Sequence, residues 1–127
     1  MSTWKLQKLC YYAQAWELAW TEKSIFCEDF EAWTNGPVCR SLFNKHRGKF
    51  TISEDDIPLG DPDELTSEQQ SDIDIILHDY GEMAPYDLRE LTHSEKPWKQ
   101  ARGDLPETAP SSEIISKDSM GEYYGSL

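Results

Sequence analysis

Residues 3–22 read TWKLQKLCYYAQAWELAWTE, a run without glycine or proline whose apolar members recur at helical spacing. Leu6, Leu9, Ala13, Trp16 and Trp20 fall on one stripe, Tyr11, Tyr12, Ala15, Leu18 and Ala19 fill a second arc, and Gln7, Gln14, Glu17 and Thr21 share a narrow polar strip. A helix that is apolar over most of its circumference packs on more than one side. The run therefore predicts a mainly α fold, a compact helical domain built around this N-terminal helix.

Outward from it, SIFCEDFEAW at 24–33 alternates imperfectly and is rich in aromatics, which predicts a short extended segment or β-hairpin folding back over the helix. NGP at 35–37 joins a turn to a proline suited to the first turn of a helix, continued by Val38, Leu42 and Phe43 and ended by Gly48. Residues 51–65, TISEDDIPLGDPDEL, hold two prolines, a glycine and six acidic side chains and read as a solvated acidic loop. Thr66 and Gln69 form a capping box for SEQQSDIDIILHDYG, whose face is Ile73, Ile76, Leu77 and Tyr80 and whose end is Gly81. Short helices follow at 86–93 (YDLRELTH) and at 97–102 (PWKQAR, opened by Pro97). After a second loop at about 103–111, SEIISKDSMGEYYGSL reads as one amphipathic piece, with Ser112 as its cap and Ile115 and Tyr123 as its docking residues.

At 127 residues the chain is expected to form a single domain, 1–127. The 24 acidic against 12 basic side chains give a net charge of -12, which opposes nucleic-acid binding and suits either a basic protein partner or plain solubility. Three cysteines without a C-x-x-C spacing, and a start lacking a cleavable leader, predict reduced thiols and a cytoplasmic location. No stretch approaches the roughly 20 apolar residues that span a bilayer, so no membrane partner is expected.

Chemistry-bearing motifs are scarce. Neither H-E-x-x-H nor paired cysteines occur, His46, His78 and His93 sit on three different elements, and GDPDEL lacks the ladder of a calcium loop, so no metal and no cofactor are expected. Cys10 lies in the most apolar helix and reads as inert. Cys39, beside Arg40 near a helix start, is either an activated thiol or a small apolar filler, and residue habit favours the filler. The octapeptide LTHSEKPW at 91–98 has two readings. His93 and Glu95 are an acid/base pair in one, but no third group is present to orient the imidazole. In the other they fasten a helix corner: His93 meets the carbonyls at one helix end, Glu95 meets the N–H groups of the next helix start, and Trp98 buries its ring. The corner requires less and is favoured.

Three ordered segments, KLQKLCYYAQAW (5–16), FEAWTNGPVCRSLF (30–43) and LTHSEKPWKQAR (91–102), resemble the Panacea domain of SocA-like antitoxins, also labelled phage-associated GepA-like proteins, over about residue 4 to Tyr124. The residues that carry the resemblance are Lys5, Leu6, Lys8, Leu9 and Tyr12, then Trp33, Gly36, Pro37 and Val38, then Leu91, Thr92, His93, Glu95, Pro97 and Trp98. The resemblance implies a compact helical antitoxin that neutralises a cognate protein toxin encoded nearby by direct contact, with no catalytic residues, cofactor or enzymatic activity. Members pair with unrelated toxin types, and one serves as an adaptor that delivers its toxin to a cytosolic protease. Protease adaptor is thus the alternative, followed by a small hydrolase using His93 and Glu95. Members often carry a further helix before K-L-Q-K-L; without it, part of the apolar surface of residues 6–20 is expected to face a partner or a second copy. The net charge singles out Glu54, Asp55, Asp56, Asp61 and Asp63 as candidate contacts for a basic toxin. The toxin's identity and the oligomeric state are not written in the sequence.

Overall fold

A computed structural model describes residues 3–25, 28–46, 67–106 and 109–126. Its elements run α1 (Thr3–Thr21), β1 (Phe30–Trp33), β2 (Gly36–Cys39), α2 (Arg40–His46), α3 (Ser67–Tyr80), α4 (Pro85–Ser94), α5 (Lys96–Arg102), β3 (Ile114–Ile115) and α6 (Lys117–Gly125). The fold is mostly helical with one small antiparallel sheet of order β2-β1-β3, in which Phe30 pairs with both Cys39 and Ile115. The acidic loop 51–65, the Thr66 cap and the Gly48 stop lie outside the described residues.

Helix α1 is the hub, touching α2, α3, α4, α6 and β2. Tyr11, Tyr12, Ala15 and Leu9 are buried in the main core with Phe30, Ala32, Leu88, Trp98, Ile115, Met120 and Tyr124. Most of its polar strip points inward as well: Gln7 and Gln14 are 0% exposed and Glu17 3%, while Thr21 is exposed, and Trp20, placed on the apolar stripe, is 45% exposed. The glutamines are buried because each replaces a missing backbone partner. Gln7 accepts from Cys39 N–H (2.9 Å) and donates to Cys39 O (3.3 Å), and Gln14 accepts from Ile25 N–H (2.8 Å). Glu22, at a left-handed φ of 62°, ends the helix and donates its N–H to Leu18 O.

The structure corrects three boundaries. The hairpin is Phe30–Trp33 with Gly36–Cys39, so Pro37 sits in a strand opposite Ala32 and the helix starts only at Arg40. A proline fits the first turn of a helix and the edge of a sheet equally well; the side chain of Gln7, which holds Cys39, decides for the sheet. The C-terminal piece is two elements: Ile114–Ile115 joins β1, and α6 is capped by Ser116, whose Oγ accepts from Ser119 N–H at 3.0 Å, in place of Ser112. Ile115 is buried as expected, but Tyr124 (1% exposed) enters the core more deeply than Tyr123. On α3 only Ile76 is fully buried, Ile73 and Tyr80 are half-buried, and Leu77 is 44% exposed, so the packed face is narrower than its spacing indicates.

Candidate functional site

The octapeptide at 91–98 spans the end of α4 and the start of α5, with Glu95 as the junction residue in an extended conformation. Pro97, in the first turn of α5, needs no hydrogen-bond partner for a backbone N–H, and Glu95 N–H closes α4 on Thr92 O (3.2 Å). Trp98 points back under α4. Its ring stacks on His93 with centroids 3.8 Å apart and planes 11° from parallel, and its indole N–H donates to Trp33 O at 2.9 Å. The corner is thereby fixed to the hairpin.

Glu95 does not meet the N–H groups of α5; its side chain makes no capping bond. It turns into the core instead, where Oε1 accepts from the hydroxyls of Tyr12 (2.5 Å) and Tyr124 (2.9 Å). The Tyr124 hydroxyl also lies 3.3 Å from that of Tyr11, while Tyr80 stacks flat on Tyr12 (4.2 Å, 6°) and accepts from the Trp16 indole N–H at 3.0 Å. Burial pushes the Glu95 carboxyl up, against the pull of its two tyrosine donors. Burial likewise pushes both tyrosine hydroxyls up, aided by the neighbouring carboxylate, so they remain donors. One carboxylate oxygen thus joins α1, the α4–α5 corner and α6.

Lys8, Gly36 and Thr92, one from each of the three segments, meet beside this corner. Lys8, 1% exposed, lies against Gly36 and Thr92: a Cβ on Gly36 would stand 3.0 Å from Lys8 Cε and 3.1 Å from Thr92 Oγ1. Gly36 also has φ +117°, so both its missing side chain and its backbone freedom are used. Thr92 Oγ1 donates to Arg89 O at 2.9 Å. The Lys8 amine is pushed down to about 8, first by burial and then by the Arg89 charge. Leu9, Pro37, Val38 and Pro97 are buried, and Lys5, Leu6, Trp33 and Leu91 are half-buried. Three segments far apart in sequence therefore meet in one interior cluster, whereas Glu54, Asp55, Asp56, Asp61 and Asp63 lie outside the described residues.

Several members of this cluster carry no local sequence signal. Arg102, 4% exposed, donates to Ala32 O (2.9 Å), Pro106 O (2.8 Å) and Ala109 O, with its guanidinium 4.8 Å from the Trp98 ring centroid, and so ties the loop after α5 to β1. Tyr124 and Gln7 were equally unmarked, although an amide on an otherwise apolar helix is itself a hint of a buried partner.

The arrangement holds elements together: His93 and Glu95 line neither the groove at the β1–β2 hairpin tip nor the one between α5 and α6. Cys39 is buried with Sγ 3.4 Å from Ser41 Oγ, the filler expected of it, and burial pushes the Cys10 thiol up to about 12. Among the described residues no group of three or more His, Cys, Asp or Glu side chains could hold a metal, and no helix is long and apolar enough to cross a membrane.

Among known proteins, the family described as antitoxin SocA-like, Panacea domain, matches residues 6–99. That span takes in the first segment from Leu6, the whole of the second and the third up to Lys99, and stops short of β3 and α6, although α6 supplies the second tyrosine to Glu95. No curated protein and no solved structure matches the chain. The matched span covers most of the chain, which therefore belongs to the family described as antitoxin SocA-like, Panacea domain.

Proposed function

We propose that this chain is a cytoplasmic, single-domain antitoxin (residues 1–127) that neutralises a cognate protein toxin encoded nearby by binding it directly, with no catalysis of its own. The family membership over residues 6–99 carries the reading. The geometry supports it, because His93, Glu95 and Trp98 are engaged in packing the corner. A scaffold so fixed inside leaves its outer faces to vary with the partner.

Co-expression with the neighbouring reading frame is the direct test. Growth rescue together with a stoichiometric complex supports the proposal; rescue without a complex overturns direct binding. The acidic segment is the proposed place where a basic toxin is met, on the strength of the net charge of -12. Replacing Glu54, Asp55, Asp56, Asp61 and Asp63 by their amides should slow association and flatten its salt dependence. Unchanged kinetics at low and high salt would move the contact elsewhere.

A further inference from the structure

Beside β3, an open groove of about 380 Å³ runs between α5 and α6, lined by Pro97 and Ala101 of α5, Ile114 of β3, and Asp118 and Glu122 of α6. Gln100 and Ser119 also line it, and Ser119 Oγ donates to Gln100 Oε1 at 3.4 Å, which joins the two helices. Ile114 is 56% exposed, whereas Ile115 next to it is 1% exposed and belongs to the core. An apolar side chain laid over Ile114 would remove that surface from water.

The charge of the groove comes from α6. Asp118 and Glu122 stand one turn apart on the same helix face, both exposed and both in the groove wall. The backbone adds a second kind of receptor. β3 is an edge strand of the sheet, where Ala32 N–H donates to Glu113 O at 2.8 Å and Phe30 pairs with Ile115. Ile114 lies between these two pairs, so its own N–H and C=O turn away from β1. Outward backbone groups on an edge strand are a template for an extended segment of another chain.

We propose that this groove docks an extended segment of a partner protein that carries an apolar side chain and, two residues on, a lysine or arginine. The apolar side chain covers Ile114, and the cation meets Asp118 and Glu122. Side chains two apart in an extended segment point the same way, so both reach the groove. Charge complementarity selects this occupant, because the carboxylates that receive the cation are exposed and line the groove itself. A net charge of -12 also speeds encounter with a basic partner, and it repels nucleic acid, anionic lipid and a second copy of this chain. The toxin is one such partner if the antitoxin reading holds; the groove is tested without it.

The probes are N-acetyl-Leu-Thr-Lys-amide, N-acetyl-Leu-Thr-Gln-amide and n-butylamine, followed through the backbone amide NMR signals of Ile114 and Glu122. The lysine peptide should shift both signals saturably and bind about fivefold more tightly than the glutamine peptide at low salt, a preference that shrinks as salt rises. Asp118→Asn combined with Glu122→Gln should erase the preference. Glu68→Gln combined with Asp74→Asn removes the same charge from two exposed positions on α3 and should keep it. Ile114→Ser should weaken both peptides alike. Equal binding of the two peptides, a preference that survives the α6 variant or disappears in the α3 variant, or n-butylamine binding as tightly as the lysine peptide would each overturn the assignment. So would self-association that Ile114→Ser abolishes, which would give the groove to a second copy. No toxin enters these measurements, so a failed preference strikes the groove and leaves the antitoxin reading standing.

Discussion

Replacing Glu95 by alanine removes the one acceptor that two buried hydroxyls share, those of Tyr12 and Tyr124 at 2.5 and 2.9 Å. The Tyr12 hydroxyl left without its acceptor, and the Tyr124 hydroxyl left with only its longer contact to Tyr11, cost about 1–3 kcal/mol each at most, and the one methylene withdrawn from the core costs about 0.8 kcal/mol. Against this, the variant no longer pays to keep a carboxylate at 7% exposure, a cost visible in the upward push on its pKa. The balance is a loss of about 3–5 kcal/mol, or a melting temperature lowered by roughly 10–20 °C for a domain of this size. Glu95→Gln retains an oxygen that accepts both hydroxyls and should lose less than about 1.5 kcal/mol at neutral pH. The two variants also separate with pH. Between the unfolded value near 4.5 and the raised folded value, the folded protein holds a proton that the unfolded chain lacks. The Glu95 contribution therefore increases as pH falls through the folded pKa, and Glu95→Gln lacks that increment. Thermal unfolding of the three proteins at pH 5 and pH 8, followed by circular dichroism, is the assay. A Glu95→Ala protein melting within about 1 °C of wild type, or melting together with Glu95→Gln, would refute the account of the corner.

Gly36→Ala forces a side chain to within 3.0 Å of Lys8 Cε at a backbone φ of +117° and should cost about 2–4 kcal/mol, read from the urea midpoint; adding Lys8→Ala should restore the part due to the clash and leave the part due to the backbone. Arg102→Met takes the donor from three carbonyls and should cost about 3–5 kcal/mol, with proteolytic cleavage in the segment after α5 accelerating before global unfolding. Glu17, 3% exposed, is pushed up to about 7 by burial and by its hydrogen bond to Asp72. Its folded form holds a proton between about 4.5 and 7 that the unfolded form has lost, so wild-type stability should fall as pH rises from 5 to 8, and Glu17→Gln should flatten that fall.

The part of the fold written most plainly was α1, because a helix hydrophobic on nearly every side can only be a hub. Its amides and Glu17 were harder to place: polarity alone assigns them to solvent, and only their long-range partners, such as Cys39 for Gln7 at a separation of 32 residues, explain their burial. The same distance in sequence hid the role of Glu95. Local capping chemistry pointed its carboxylate at the next helix, while the tyrosines that hold it lie 83 residues upstream and 29 downstream. Pro37 was ambiguous for a different reason, since its fixed φ suits a helix start and an edge strand alike. Ile114 and Ile115 form a two-residue strand, too short for any alternation to show. The burial of the Trp98 ring at the corner, by contrast, is legible in the sequence, where helices are read at 86–93 and, from Pro97, at 97–102; the ring stacks on His93.

The central claim is that this chain silences a toxin by holding it. Its most direct measurement is the affinity between the purified chain and the purified product of the neighbouring reading frame, taken alongside the toxin's activity in the same mixture. The account predicts a saturable complex and loss of toxin activity along one titration curve, with no other protein present. A toxin that stays fully active in the complex, or is silenced only when a protease is added, would contradict it.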